Sequence, residues 1–146
     1  MAKYLLIVDF QSGPDDAPMS AWSDQEVADH LDYYGRLNAE LVASGELVDT
    51  TILTGPDLAK IVRSDGTTAV IRDGPFQEFK EWVAGYQIVD VESEFRALEI
   101  AGLVSAVPGR GGVPTQQPIQ VRRIMDDGPG SVEEMDAFLE TASDPR

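Results

Sequence analysis

The stretch Lys3-Tyr4-Leu5-Leu6-Ile7-Val8-Asp9-Phe10 decides how the rest of the chain is read. It is a strand candidate in which Tyr4, Leu6, Val8 and Phe10 fall on one side and Leu5 and Ile7 on the other, because successive strand side chains alternate in direction. Apolar residues on both sides describe a central strand covered on both faces. The remaining sequence has to supply two layers of cover.

Helices supply the first layer. After a loop over residues 11–19, broken by Gly13, Pro14 and Pro18, Ser23 and Glu26 form an S-x-x-E capping box. Val27, Leu31, Tyr34, Leu37 and Leu41 then recur at helical spacing, and Gly45 suits the left-handed residue that ends a helix. Residues 47–54 (LVDTTILT) are rich in β-formers, and Gly55-Pro56 stops them. Residues 59–64 and 67–72 flank Asp65-Gly66, a two-residue hairpin signal that asks for positive φ at both central residues. Residues 82–90 are a further strand. Residues 93–102 are a short helix with Phe95, Leu98 and Ala101 on one side. Residues 107–118 are an irregular connection rich in Gly and Pro, and residues 119–125 are the last strand. Ser131 and Glu134 make a second capping box, opening a terminal helix with Val132, Met135, Phe138 and Leu139.

With the hairpin set aside, the order is βαββαβ, the ferredoxin-like α+β pattern, with an inserted β-hairpin and an extra C-terminal helix. Both main helices would cover one face of an antiparallel sheet. The other face calls for a second subunit or for the terminal helix folded back over it. The chain of 146 residues is long enough for one domain with a real core. The expected division is a domain over residues 1–126 and a helical extension over 127–146.

Eleven Lys and Arg against 26 Asp and Glu give a net charge of −15. Such a chain repels nucleic acid and anionic membranes unless its cations cluster. Arg122 and Arg123 are the one adjacent pair, and strand neighbours point to opposite faces. No apolar run approaches the ~20 residues of a bilayer span, and the start of the chain does not read as a signal peptide, so a cytoplasmic protein without direct nucleic-acid or membrane contact is expected. The absence of cysteine excludes disulfides, thiolate metal sites and Cys nucleophiles.

The most distinctive motif is Asp73-Gly74-Pro75-Phe76-Gln77-Glu78-Phe79-Lys80-Glu81, followed by Gly85-Tyr86. On these residues the chain resembles the YCII-related family, in its DGPF-domain branch. Tyr4-Leu5-Leu6-Ile7-Val8, Ala43-Ser44-Gly45-Glu46-Leu47 and Val121-Arg122 extend the resemblance over about residues 3–124. The resemblance implies a ferredoxin-like fold, commonly paired as a dimeric α+β barrel. It also implies a homodimer, and a regulatory link to extracytoplasmic-function sigma factors, near which the branch is often described. Members of the wider family have been suggested to be enzymes using a His–Asp pair.

His30 is the one histidine of the chain and is similar to the helix histidine of that wider family. An imidazole titrates near neutral pH and suits a general acid or base; the plainer expectation is a half-exposed helix residue beside core Leu31. The resemblance implies an acidic partner near the end of the second helix, where residues 100–108 carry no Asp or Glu; Asp9 or Asp73 could stand in for it in space. Asp73 reads as a turn residue accepting amides, or as a catalytic carboxyl, and Phe76 as an apolar anchor. Arg110, in a Gly-rich stretch, and Arg122, on the last strand, are candidate anion contacts, with Tyr86 as candidate pocket lining. There is no P-loop, no G-x-G-x-x-G and no G-x-S-x-G. Neither a metal nor a cofactor is expected. These features point to a small-molecule-binding or regulatory dimer, with a cofactor-free enzyme acting through His30 and a carboxylate as the alternative.

Overall fold

A computed structural model of the chain describes residues 1–9, 18–73, 83–125 and 127–142. Strand β1 (Ala2–Asp9) runs through the interior of a sheet, between β5 (Val83–Val91) and β6 (Ile119–Arg123). Strand β2 (Leu47–Ile52) pairs with the far side of β5, and all three pairings are antiparallel, giving the order β2-β5-β1-β6. Strands β3 (Lys60–Ser64) and β4 (Ala69–Asp73) form a separate hairpin. Helix α1 (Asp24–Ala43) joins β1 to β2, α2 (Glu94–Ser105) joins β5 to β6, and α3 (Val132–Ala142) follows β6. The architecture is α+β.

Alternation along the strands separates two faces. Gly85, Gln87, Val89 and Val91 of β5 are buried, as are Tyr4 and Leu6 of β1. They meet Leu37 and Leu41 from α1 and Ala97, Ile100, Ala101 and Val104 from α2. Full burial of each large aliphatic side chain is worth about 1.5–3 kcal/mol, so this layer holds the helices to the sheet. The opposite face carries Leu5 and Ile7 of β1 and Tyr86 and Ile88 of β5, all partly exposed. Helix α3 does not bury its own apolar residues over that face: Val132, Met135, Phe138 and Leu139 are all exposed.

Several expectations about facing are corrected. Leu31 is 62% exposed, and His30 takes the inward place, in line with Leu37 and Leu41. In α2 the inward stripe is Ala97, Ile100, Ala101 and Val104, while Phe95 and Leu98 face out. Small residues at 97 and 101 let the helix lie close to the sheet, where a phenylalanine would hold it off. That helix also runs on to Ser105. The hairpin is present, but its turn is not the two-residue type. Gly66 has φ 97°, and Asp65 has no positive φ. Asp65 Oδ1 instead accepts the amides of Thr67 and Thr68, both at 2.9 Å, which makes a four-residue connection between β3 and β4. The capping box of Ser23 and Glu26 forms as expected. At the start of α3, Ser131 Oγ accepts the amide of Glu134, but the Glu134 carboxylate takes the amide of Gly130. The expected Phe76 anchor lies outside the described residues, as do Phe10 and Trp82.

Candidate functional site

The end of the sheet where β1 stops gathers the entry to α1 and the connection from α2 to β6. A short 3-10 turn, Met19–Ala21, delivers Trp22, which is 8% exposed and stands one residue before the Ser23 cap. His30 follows two turns into α1 on the buried side and is 6% exposed. The rings of Trp22 and Tyr34 meet it edge-on, with centroids 5.4 and 5.2 Å away.

Against this aromatic corner lies the connection over residues 107–117, which is irregular but well tied. The amide of Gly109 donates to the Val113 carbonyl at 2.8 Å, and the Thr115 amide and hydroxyl both donate to the Val107 carbonyl. His30 Nδ1 lies 2.8 Å from the Pro108 carbonyl oxygen. A carbonyl can only accept, so Nδ1 carries the proton in this bond. A Cβ on Gly109 would lie 2.7 Å from Thr115 and 3.2 Å from the Trp22 ring, so the backbone approaches the indole more closely than any side chain would allow. The Glu26 carboxylate, already capping the Ser23 amide at 2.8 Å, also accepts the Gly111 amide. These amides, with Arg110 nearby, hold its carboxyl below the usual carboxylate range. Burial pushes the Tyr34 hydroxyl up to about 12.

The structure does not bring the expected site residues together. His30 sits under α1 on the helix-covered side. Tyr86 and Arg122 belong to the opposite sheet face, where Arg122 is exposed. Asp73 ends β4 and pairs with Lys60 on the hairpin. Arg110 is exposed on the turn Arg110–Gly112, on the helix side. Among the described residues no carboxylate is hydrogen-bonded to His30: Asp73 is engaged elsewhere, and Asp9 is placed by its amide on the Pro118 carbonyl. No described group of three or more His, Asp or Glu side chains is arranged to hold a metal ion.

Two features of the corner escape the reading of the sequence. Trp22 is the first; its signal was its position just before the Ser23 cap, five places ahead of the fourth helical residue Val27, where apolar residues staple a helix start. Its Nε1 is buried without a hydrogen-bond partner among the described residues. The second is the amide pair Gln87–Asn38, in which Gln87 Nε2 donates to Asn38 Oδ1 at 2.7 Å between β5 and α1. No pattern in the sequence joins those two positions.

Fold and corner define a class: an α+β protein with a four-stranded antiparallel sheet and a separate hairpin, α1 and α2 on one face of the larger sheet, and an aromatic clamp fastening the connection into β6. No family model matches the chain. Over 98 residues it is 30% identical to an uncharacterized protein of Rhizobium meliloti (strain 1021), a match that spans 66% of this chain and 79% of that one. The chain belongs to the family of that protein. No described helix is long and apolar enough to cross a membrane.

Proposed function

We propose that the protein is a small-molecule-binding homodimer of the YCII-related, DGPF-domain type, with a ferredoxin-like fold paired as a dimeric α+β barrel. With the hairpin set aside, the core strands read 2-3-1-4 across the sheet, every pair antiparallel, which suits a βαββαβ chain. The observation that carries the proposal is the open sheet face. Leu5, Ile7, Tyr86 and Ile88 lie side by side at its centre, and neither α1, α2 nor α3 buries them. A contiguous apolar patch on an acidic, otherwise polar chain marks an association surface. Tyr86, near the loop end of that surface, is its natural contact for a bound small molecule.

The corner around His30 supports binding or regulation over chemistry. Its imidazole fastens a backbone carbonyl, and a positioned carboxylate is what the alternative, a cofactor-free acid–base enzyme, requires. Sedimentation equilibrium tests the reading. A mass near twice the 15.9 kDa chain is expected, falling to one chain in Leu5→Glu. A wild-type monomer at micromolar concentration overturns it. Native mass spectrometry of the purified dimer then reads any retained small molecule directly.

A further inference from the structure

The strand register lays the open face out in rows of facing residues. One row reads Asp49–Ile88–Leu5–Arg122 across β2, β5, β1 and β6. The next reads Thr51–Tyr86–Ile7–Gln120. A third pairs Asp90 of β5 with Lys3 of β1. The middle of the face is apolar, and in the two charged rows the charges are sorted by side, with the acids Asp49 and Asp90 on β2 and β5 and the bases Lys3 and Arg122 on β1 and β6, while Asp9 stands apart at the far end of β1. Asp49 and Arg122 stand three strand spacings apart, about 14 Å, with Ile88 and Leu5 between them, too far to pair within one chain. No ion pair joins either of them to a described residue. Asp90 Oδ1 is covered within the chain and has no hydrogen-bond partner among the described residues.

We infer that two copies pair about a two-fold axis parallel to the strands, which sets Asp49 of each against Arg122 of the partner subunit and Asp90 against Lys3 of the partner subunit. This rests on the dimer proposed above and specifies its geometry. In the aligned class of face-to-face sheet packing the strands stay within about 30° of each other, so rows lie roughly over rows. An axis along the strands carries the β2 edge over the partner's β6 edge. Each row then meets its own reverse: acid over base at both ends, Ile88 over Leu5 and Tyr86 over Ile7 in the middle. An axis across the strands would instead set Asp49 over Asp49 and Arg122 over Arg122. Like charges facing each other cost affinity and suppress the wrong arrangement, so the charge pattern selects the first axis. In this arrangement Arg122 belongs to the subunit contact, and a small molecule touching Tyr86 would lie within that contact.

Charge reversal tests the axis. Asp49→Arg and Arg122→Asp, each alone, should raise the dimer dissociation constant about tenfold or more in sedimentation equilibrium, because each homodimer then holds two like-charged contacts. The double variant should recover most of the loss. The two single variants, mixed, should form a heterodimer in preference to either homodimer, read with a mass label on one of them. Preferential pairing of Asp49→Arg with the wild-type chain identifies the crossed axis and overturns the inference. So does a wild-type dimer that Leu5→Glu splits but charge reversal leaves unchanged; the dimer itself then stands. A wild-type monomer removes both. Circular dichroism of each variant shows that the chains compared are folded.

Discussion

His30 is a histidine used as a fastener. Its ring fills the space between Trp22 and Tyr34, and its Nδ1 proton satisfies the carbonyl of Pro108, 78 residues further on. His30→Ala removes a buried ring and leaves that carbonyl without its donor. The expected loss is about 2–4 kcal/mol in urea unfolding; a loss under about 0.5 kcal/mol would show that the connection is held without it. The residue was visible from sequence as the chain's one imidazole, but its orientation was not. Positions 30 and 31 differ by about 100° around a helix, and apolar Leu31 fitted the stripe better than His30 did. What turns His30 inward is the aromatic pocket built by Trp22 and the close approach of Gly109, two positions whose meeting no local pattern encodes. Residue type alone also gave no sign that His30 lies apart from Tyr86 and Arg122, whose strand positions put them on the face away from the helices.

At the scale of elements, one ion pair fixes where α2 begins relative to the end of α1. Arg96 presents Nε to Glu46 Oε2 at 2.8 Å and a terminal nitrogen to Oε1 at 3.0 Å, a two-pronged contact across the turn into β2. The Arg96 guanidinium, helped by the Ser44 hydroxyl, holds the Glu46 carboxyl below its ordinary value of 4.5. A carboxyl that is more acidic folded than unfolded adds stability above its unfolded value and loses it as pH falls through its folded value. Glu46→Gln should therefore cost about 1 kcal/mol at neutral pH. The gap between variant and wild type should close in urea titrations as the pH falls below the ordinary carboxylate value. A gap that stays constant into acid would assign the effect to packing. Elements were the most legible level of the sequence. The Ser23 capping box, the strand around Leu6 and the hairpin around Asp65-Gly66 all stand where local patterns place them. The turn type and the inward face of α2 were not legible. The first depends on which amides Asp65 reaches, and the second on how closely a helix must approach the sheet, which favoured Ala97 and Ala101 over Phe95 and Leu98.

At the scale of the molecule, the open face governs stability as well as assembly. If folding and pairing are coupled, the thermal midpoint rises with protein concentration, by several degrees over a hundredfold range. Ile88→Asp should remove that dependence while leaving a folded chain; a wild-type midpoint independent of concentration would separate folding from association. That the face would need a cover was legible from Leu5 and Ile7 alone. The side from which the charges come was legible only once the register joined Asp49 to Arg122 through Ile88 and Leu5. The interior place of β1 has a further effect, felt during synthesis. Both neighbours of β1 come from later in the chain, residues 83–91 and 119–123. On a ribosome adding about 5–20 residues per second, the KYLLIVD segment waits several seconds or more for its first partner and longer for its second. Through that interval an aliphatic segment with two unpaired edges is exposed to other nascent chains and to proteases. Nascent chains halted after residue 118 should therefore be cut readily within residues 2–9, and those released past residue 125 should resist.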